Sequence, residues 1–177
     1  MLVDDYIQPP QTILMLSLFT WIGTLIAGTL AVSSPDFKNN EAIPSRFSCE
    51  GENISPALHI DGMPAGTKSL VIIVHDPDAP MQGGVTHWIA WNIDPMKDIP
   101  QKFNGGTQGE NTRKKEGYMG PCPPTGTHHY HFIVYALDDH LNLDLSTNKE
   151  QLEKAMETHI LAKGELIGLY KKQNPSN

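Results

Sequence analysis

Leu70 to Val74 (LVIIV) constrains this chain more than any other stretch. A run of branched aliphatic residues leaves no polar face for a surface helix. It is also bounded too closely to become one, by Gly66-Thr67 before it and by Pro77 and Pro80 after it. It predicts a central strand buried on both faces. His87–Ile93 (HWIAWNI), Tyr130–Leu137 (YHFIVYAL) and Glu165–Tyr170 (ELIGLY) predict further strands, with Thr29–Ser33, Ser45–Ser48 and Ala57–Ile60 as weaker candidates. Short apolar runs punctuated by turn residues are the pattern of a mainly β antiparallel sandwich. The 15 Gly and 14 Pro fit such a loop-rich fold better than a helical bundle.

One helix is marked. Thr147-Asn148-Lys149-Glu150 matches a capping box. Leu152, Ala155, Met156, His159 and Ile160 follow at helical spacing, and Gly164 offers a stop. The polar, glycine-rich stretch between Pro100 and Tyr118 predicts a long loop bordering a functional site.

The 177 residues suit one domain with a real core. A net charge of −7 excludes a general nucleic-acid binder, because no basic field is available to neutralise phosphates. Arg113-Lys114-Lys115 and Lys171-Lys172 are expected to be solubilising surface charges. At the other end, Thr12–Val32 is a run of 21 residues without a charge, long enough to span a bilayer. Asp4 and Asp5 precede it where a signal peptide would carry a positive region, unless translation starts at Met15. Thr29-Leu30-Ala31 offers a small-x-small cut after Ala31. The expected division is an apolar segment at 1–27 (signal peptide or membrane anchor), a domain at 28–172 and a polar tail at 173–177. Export or membrane tethering through 12–32 ranks ahead of a cytoplasmic location. Cys49 and Cys122 then form one disulfide, or remain two free thiols in the cytosol.

Two segments carry chemistry. In GPCPPTGTHHYHF, strand alternation puts His128, Tyr130 and Phe132 on one face and His129, His131 and Ile133 on the other. The histidines therefore cannot converge on a metal from one strand. A metal would need His87 and Asp76 as well. The second segment, His75-Asp76-Pro77-Asp78-Ala79-Pro80, holds two carboxylates on a stiff turn at the end of the LVIIV strand. A plain Asx turn would also use such aspartates.

HDPDAP, then Thr86-His87-Trp88, then GPCPPTGTHHYHF closely resemble the phosphatidylethanolamine-binding protein family, in its bacterial and archaeal Raf-kinase-inhibitor-like branch. The resemblance runs from about Ser33 to Tyr170 and includes FSCEGENISPAL (47–58) and HILAKGELIGLY (159–170). It implies a two-sheet antiparallel Greek-key β-sandwich with one or two peripheral helices. It also implies a small anion pocket at one end that accepts phosphate-bearing head groups. Matched by motif, the pocket residues are Asp76, His87, Gly120, Pro121, Pro124, His128 and Tyr130, supported by Asp78, Pro80 and Trp88. An Asp76 carboxylate that accepts from one imidazole would orient that ring and favour its protonated form. Affinity for an anion should then rise as pH falls towards about 6.

Two departures stand out. His129 occupies a position where the family commonly has Arg, and the chain ends soon after ELIGLYKK, without the C-terminal helix of mammalian members. A binding protein that takes a small anion or phospholipid head group, with inhibition of a kinase or protease as a possible output, is the leading reading. No cofactor is implied. A hydrolase using the Asp/His pocket or Cys122, and a metal-binding protein, are the competing classes.

Overall fold

The computed structural model describes residues 28–173. Along the chain these form β1 (Gly28–Thr29), β2 (Ala31–Ser33), β3 (Glu41–Ala42), a 3-10 turn (Ser45–Phe47), β4 (Leu58–Asp61) and β5 (Ser69–Asp76). They continue with β6 (Val85–Ile93), β7 (Asp98–Ile99), β8 (Thr107–Gln108), β9 (His128–Leu137), α1 (Lys149–Met156) and β10 (Ile160–Tyr170). The large sheet has the order β1-β10-β9-β5-β6-β8, with β3 also on β10, and the small sheet has the order β2-β4-β7. The two-sheet β-sandwich expected from the sequence is the fold.

β5 shows why LVIIV is apolar throughout. Leu70, Ile72 and Val74 face the core between the sheets, among Trp88, Phe132 and Leu58. Val71 and Ile73 face a second cluster, where Leu152 and Met156 of α1 cover the outside of the sheet. Full burial of each such side chain contributes about 1.5–3 kcal/mol. Truncating Ile72 to Ala would cost about 2–5 kcal/mol.

Several elements differ from expectation. The large sheet is not wholly antiparallel, since β1 and β3 each pair with β10 in parallel over two residues. The Thr29–Ser33 run divides at buried Leu30, whose N–H donates to Lys163 O, so the chain leaves the large sheet and enters the small one. Ser45–Ser48 is not a strand. Phe47 and Ser48 N–H groups bond back to Pro44 and Ser45 carbonyls and close a 3-10 turn.

The capping box falls one residue later than predicted, with Asn148 Oδ1 accepting from Gln151 N–H and Gln151 Oε1 accepting from Asn148 N–H. Helix α1 ends at Met156, and Ile160 begins β10. Gly164 is no helix stop. It lies inside β10, where a Cβ would come within 2.4 Å of Leu30 O, so glycine lets the corner strand pass.

Rungs of the β9–β10 ladder run from His128–Tyr170 at one end to Leu137–Ile160 at the other. β1 joins at Ala162 and Lys163, so the described chain begins at the end remote from His128.

Candidate functional site

Inner-face positions on neighbouring strands end together at one pole of the large sheet. Asp76 continues the Leu70–Ile72–Val74 row of β5, while His128 and Tyr130 begin the row that Phe132 and Val134 continue in β9. Simple alternation along β6 would put His87 with Ile89 and Trp91 on the outer face. A register shift prevents this: Val74 pairs with Trp88 but His75 with Thr86, leaving His87 in a β-bulge. Bulges re-aim side chains, and His87 lines the same cavity as Asp76, His128 and Tyr130. That cavity has a volume of about 260 Å³.

Hydrogen bonds fix its floor. Asp76, 3% exposed, accepts from Asp78 N–H at 2.9 Å through Oδ1 and from His128 Nδ1 at 2.8 Å through Oδ2. It is Asp76, then, that makes the Asx turn. This carboxylate sets His128 Nδ1 as donor and leaves Nε2 as the free nitrogen. His87 Nδ1 donates to Met119 O at 2.7 Å, and its ring lies edge-on to Tyr130 with centroids 5.1 Å apart. Burial pushes the His87 pKa down, only partly offset by the Met119 bond, so this imidazole is neutral at pH 7. The protonated donor expected from the sequence is therefore opposed at His87.

The Tyr130 hydroxyl is buried with no completed hydrogen bond. The Asp76 carboxylate and Cys122 backbone lie near enough to act on it without a well-aligned contact. Burial, reinforced by the Asp76 charge, pushes its pKa far up, so the hydroxyl keeps its proton.

The wall opposite is fastened by a Cys49–Cys122 disulfide with Cα atoms 5.4 Å apart. Cys49 N–H donates to Pro121 O, Gly120 N–H to Asn53 Oδ1 and the Tyr118 hydroxyl to Phe47 O. Gly120 has no room for a side chain, since a Cβ would lie 2.5 Å from Phe47 O.

Of the residues predicted by motif, Asp76, His87, Gly120, Pro124, His128 and Tyr130 line this one cavity, as does Pro80. Pro121 does not. It is buried behind the wall, its carbonyl taken by Cys49, and Pro123 lines the cavity instead. Asp78 sits outside and accepts from both the backbone N–H and Nδ1 of His129. Trp88 faces the core, and its Nε1 donates to Gln108 Oε1, tying the 100–118 segment to the sheet. His131 pairs outward with Glu165 at 2.9 Å, as alternation predicts for that face.

Sequence reasoning missed Asn53, Met81, Thr112, Arg113 and Met119, which also line the cavity. Arg113 corrects the expectation of a purely solubilising Arg113-Lys114-Lys115. The usable signal was the loop's direct run into GPCPP. No group of three His, Cys, Asp or Glu side chains among the described residues is placed to hold a metal ion. Cys122, being bonded, offers no thiol nucleophile.

A family profile described as phosphatidylethanolamine-binding protein matches residues 33–171. The chain belongs to the phosphatidylethanolamine-binding protein family. Within it, a UPF0098 protein of Pyrococcus horikoshii is 52% identical over 156 residues, covering 82% of this chain and 78% of its own. A UPF0098 protein of Chlamydia trachomatis is 41% identical over 151 residues, covering 81% of this chain and 99% of its own. The crystal structure of a phosphatidylethanolamine-binding protein homologue from Chlamydia trachomatis superposes with a TM-score of 0.79 at 39% identity, covering 83% of this chain and all of that one. E. coli YbcL, described as a new member of the mammalian family, gives a TM-score of 0.76 at 30% identity, over 82% of this chain and all of that one. These relatives place the chain in the bacterial and archaeal branch of the phosphatidylethanolamine-binding proteins.

Proposed function

We propose that the cavity binds a small phosphate-bearing ligand, such as a phospholipid head group or a free phosphate ester. The observation that carries this reading is the Tyr130 hydroxyl, buried and without a completed hydrogen bond beside His87 and the Asp76–His128 pair. An unpaired buried hydroxyl costs about 1–3 kcal/mol. A ligand oxygen is a partner that would offset that cost. The Tyr130 hydroxyl is a donor to such an oxygen, and His128 Nε2 is a second donor in the doubly protonated imidazole. The neutral His87 Nε2 keeps a lone pair and accepts from a ligand N–H or O–H group. Two donors already occupy the Asp76 carboxylate, which reduces its repulsion of an anion.

Calorimetric titration with phenyl phosphate and with phosphoethanolamine is the direct test. The expected result is saturable binding that weakens about ten-fold in Tyr130→Phe and more in His128→Ala. Binding unchanged in both variants would sink the proposal.

Residues 28–32 belong to the sheets, so a tether is confined to the part of the apolar run before them, which lies outside the described residues. Export with such a tether is supported by the disulfide, which persists in oxidising compartments. A cut after Ala31 would remove the buried Leu30 and both β1 rungs. An anchor that keeps them fits the fold better. N-terminal sequencing of the natural protein from a membrane fraction tests this. A soluble protein beginning at Val32 would refute it.

A further inference from the structure

Arg113 is the one Lys or Arg side chain lining the cavity. Its surroundings separate it from the basic residues beside it. Lys114 is paired with Glu110 at 3.4 Å, and Lys115 lies outside the cavity. The Arg113 guanidinium makes no ion pair or hydrogen bond among the described residues. Its exposure means that its substitution carries little risk to folding.

The backbone beneath that free side chain is unusually well held. Buried Asn111 organises the turn: its Oδ1 accepts from Arg113 N–H at 2.9 Å and its Nδ2 donates to Gly117 O at 3.2 Å. Asn111 N–H and Lys115 O close the turn, and Glu110 bridges to Glu116. On the other side, Thr112 N–H donates to Thr86 O while Thr86 N–H donates to Thr112 Oγ1. Thr86 adjoins His87, so the Arg113 turn is fastened to the strand that supplies the cavity floor. The Arg113 charge acts on the His87 ring. A partnerless cation has no internal ion pair to give up to a ligand, and the held backbone beneath it confines the ordering cost to the side chain itself.

We propose that Arg113 selects the charge state of the ligand, favouring a phosphate monoester dianion over a phosphodiester or carboxylate monoanion. This rests on the anion-site reading of the cavity. The floor supplies the Tyr130 hydroxyl, two imidazoles and the Asp76 carboxylate, none of them a fixed positive charge that would reward a second negative one. Arg113 supplies a fixed positive charge, whose planar fork matches two phosphate oxygens. A diester or carboxylate retains the floor contacts but gains less from that charge.

The test uses three probes at about pH 7.5, where a simple monoester is a dianion: phenyl phosphate, methyl phenyl phosphate and benzoate. Wild-type protein should bind phenyl phosphate about ten-fold or more tighter than the other two. Arg113→Gln should weaken phenyl phosphate about 10- to 100-fold and the monoanions much less, so that the preference collapses. Arg113→Lys should restore part of it, and Lys115→Gln should leave it intact. Arg113→Gln binding phenyl phosphate like wild type, while His128→Ala weakens it, would overturn this inference and leave the anion site standing. Equal loss for all three probes would show attraction without selection and also overturn it. Wild-type protein that binds none of the probes would remove the anion site and this inference together.

Discussion

Two histidine–aspartate pairs sit one residue apart on the same strand. His128 meets Asp76 at 2.8 Å and His129 meets Asp78 at 2.7 Å, so their lengths do not distinguish them. Water does. Side chains of the first pair are 9% and 4% exposed, those of the second 51% and 40%. In the outer pair, the His129 side chain and then its backbone N–H hold the Asp78 carboxyl below its ordinary value, and solvent screens the gain. In the inner pair, both partners are buried, and removal of one leaves the other with little access to water beyond the cavity. Alternation across a single β-strand thus converts one chemical motif into two different devices, one that tacks down a strand end and one that shapes a cavity.

Breaking the inner pair should have the largest effect. Asp76→Ala leaves His128 Nδ1 and Asp78 N–H without their acceptor, and should cost about 3–5 kcal/mol in urea unfolding. A cost no greater than that of Asp78→Asn would mean that burial does not separate the two pairs.

Next comes the wall that faces the inner pair across the cavity. Cys49→Ser with Cys122→Ser should cost about 2–4 kcal/mol. If the wall is what makes the inner pair different, Asp76→Ala should cost less in this background than in wild type. A double-mutant cycle reads that directly, and strict additivity would argue against the wall.

Acid sharpens the contrast without a substitution. Burial lowers the pKa of both His87 and His75 in the folded state, so the unfolded chain takes up protons first. Their contribution to stability is complete above about 6.5 and is lost as pH falls through the depressed folded values. Unfolding midpoints should therefore drop between about pH 7 and 5. The drop should shrink in His87→Phe. Asp78 acts in a lower window: its contribution is present above the ordinary carboxylate value near 3.8 and is lost as pH falls through its lowered one. The smallest effect belongs to the outer pair itself, with Asp78→Asn changing stability by less than about 1 kcal/mol in the same urea series.

The parts legible in sequence were those set by local alternation or by an apolar run. LVIIV announced a strand covered on both sides, and HHYHF announced which imidazoles turn inward, because each depends only on a period of two. His87 lies beyond that logic. Its orientation depends on a bulge created by pairing with β5, and nothing in Thr86-His87-Trp88 marks the shift. Pro121 and Pro123 carry equal weight as letters, yet only the path of the chain past Cys49 decides which one faces the cavity. The helix cap slipped by one residue because Thr147 and Asn148 are both competent caps, and buried Thr147 was claimed by packing. Arg113 looked like surface charge because its neighbours are; its distinction lies in what it does not touch.

The parallel rung between Gly28 and Ala162 has a practical side. The cavity opens at the Tyr170–His128 end of β10, eight residues further along that strand. At a rise of about 3.3 Å per residue, the two ends are roughly 26 Å apart. Molecules coupled to a bead or sensor chip through a thiol introduced by Gly28→Cys would stand with their mouths towards the bulk liquid, whereas coupling through Lys171, beside that rim, would crowd the opening. Orientation on a solid support is thus built into where the first rung was laid.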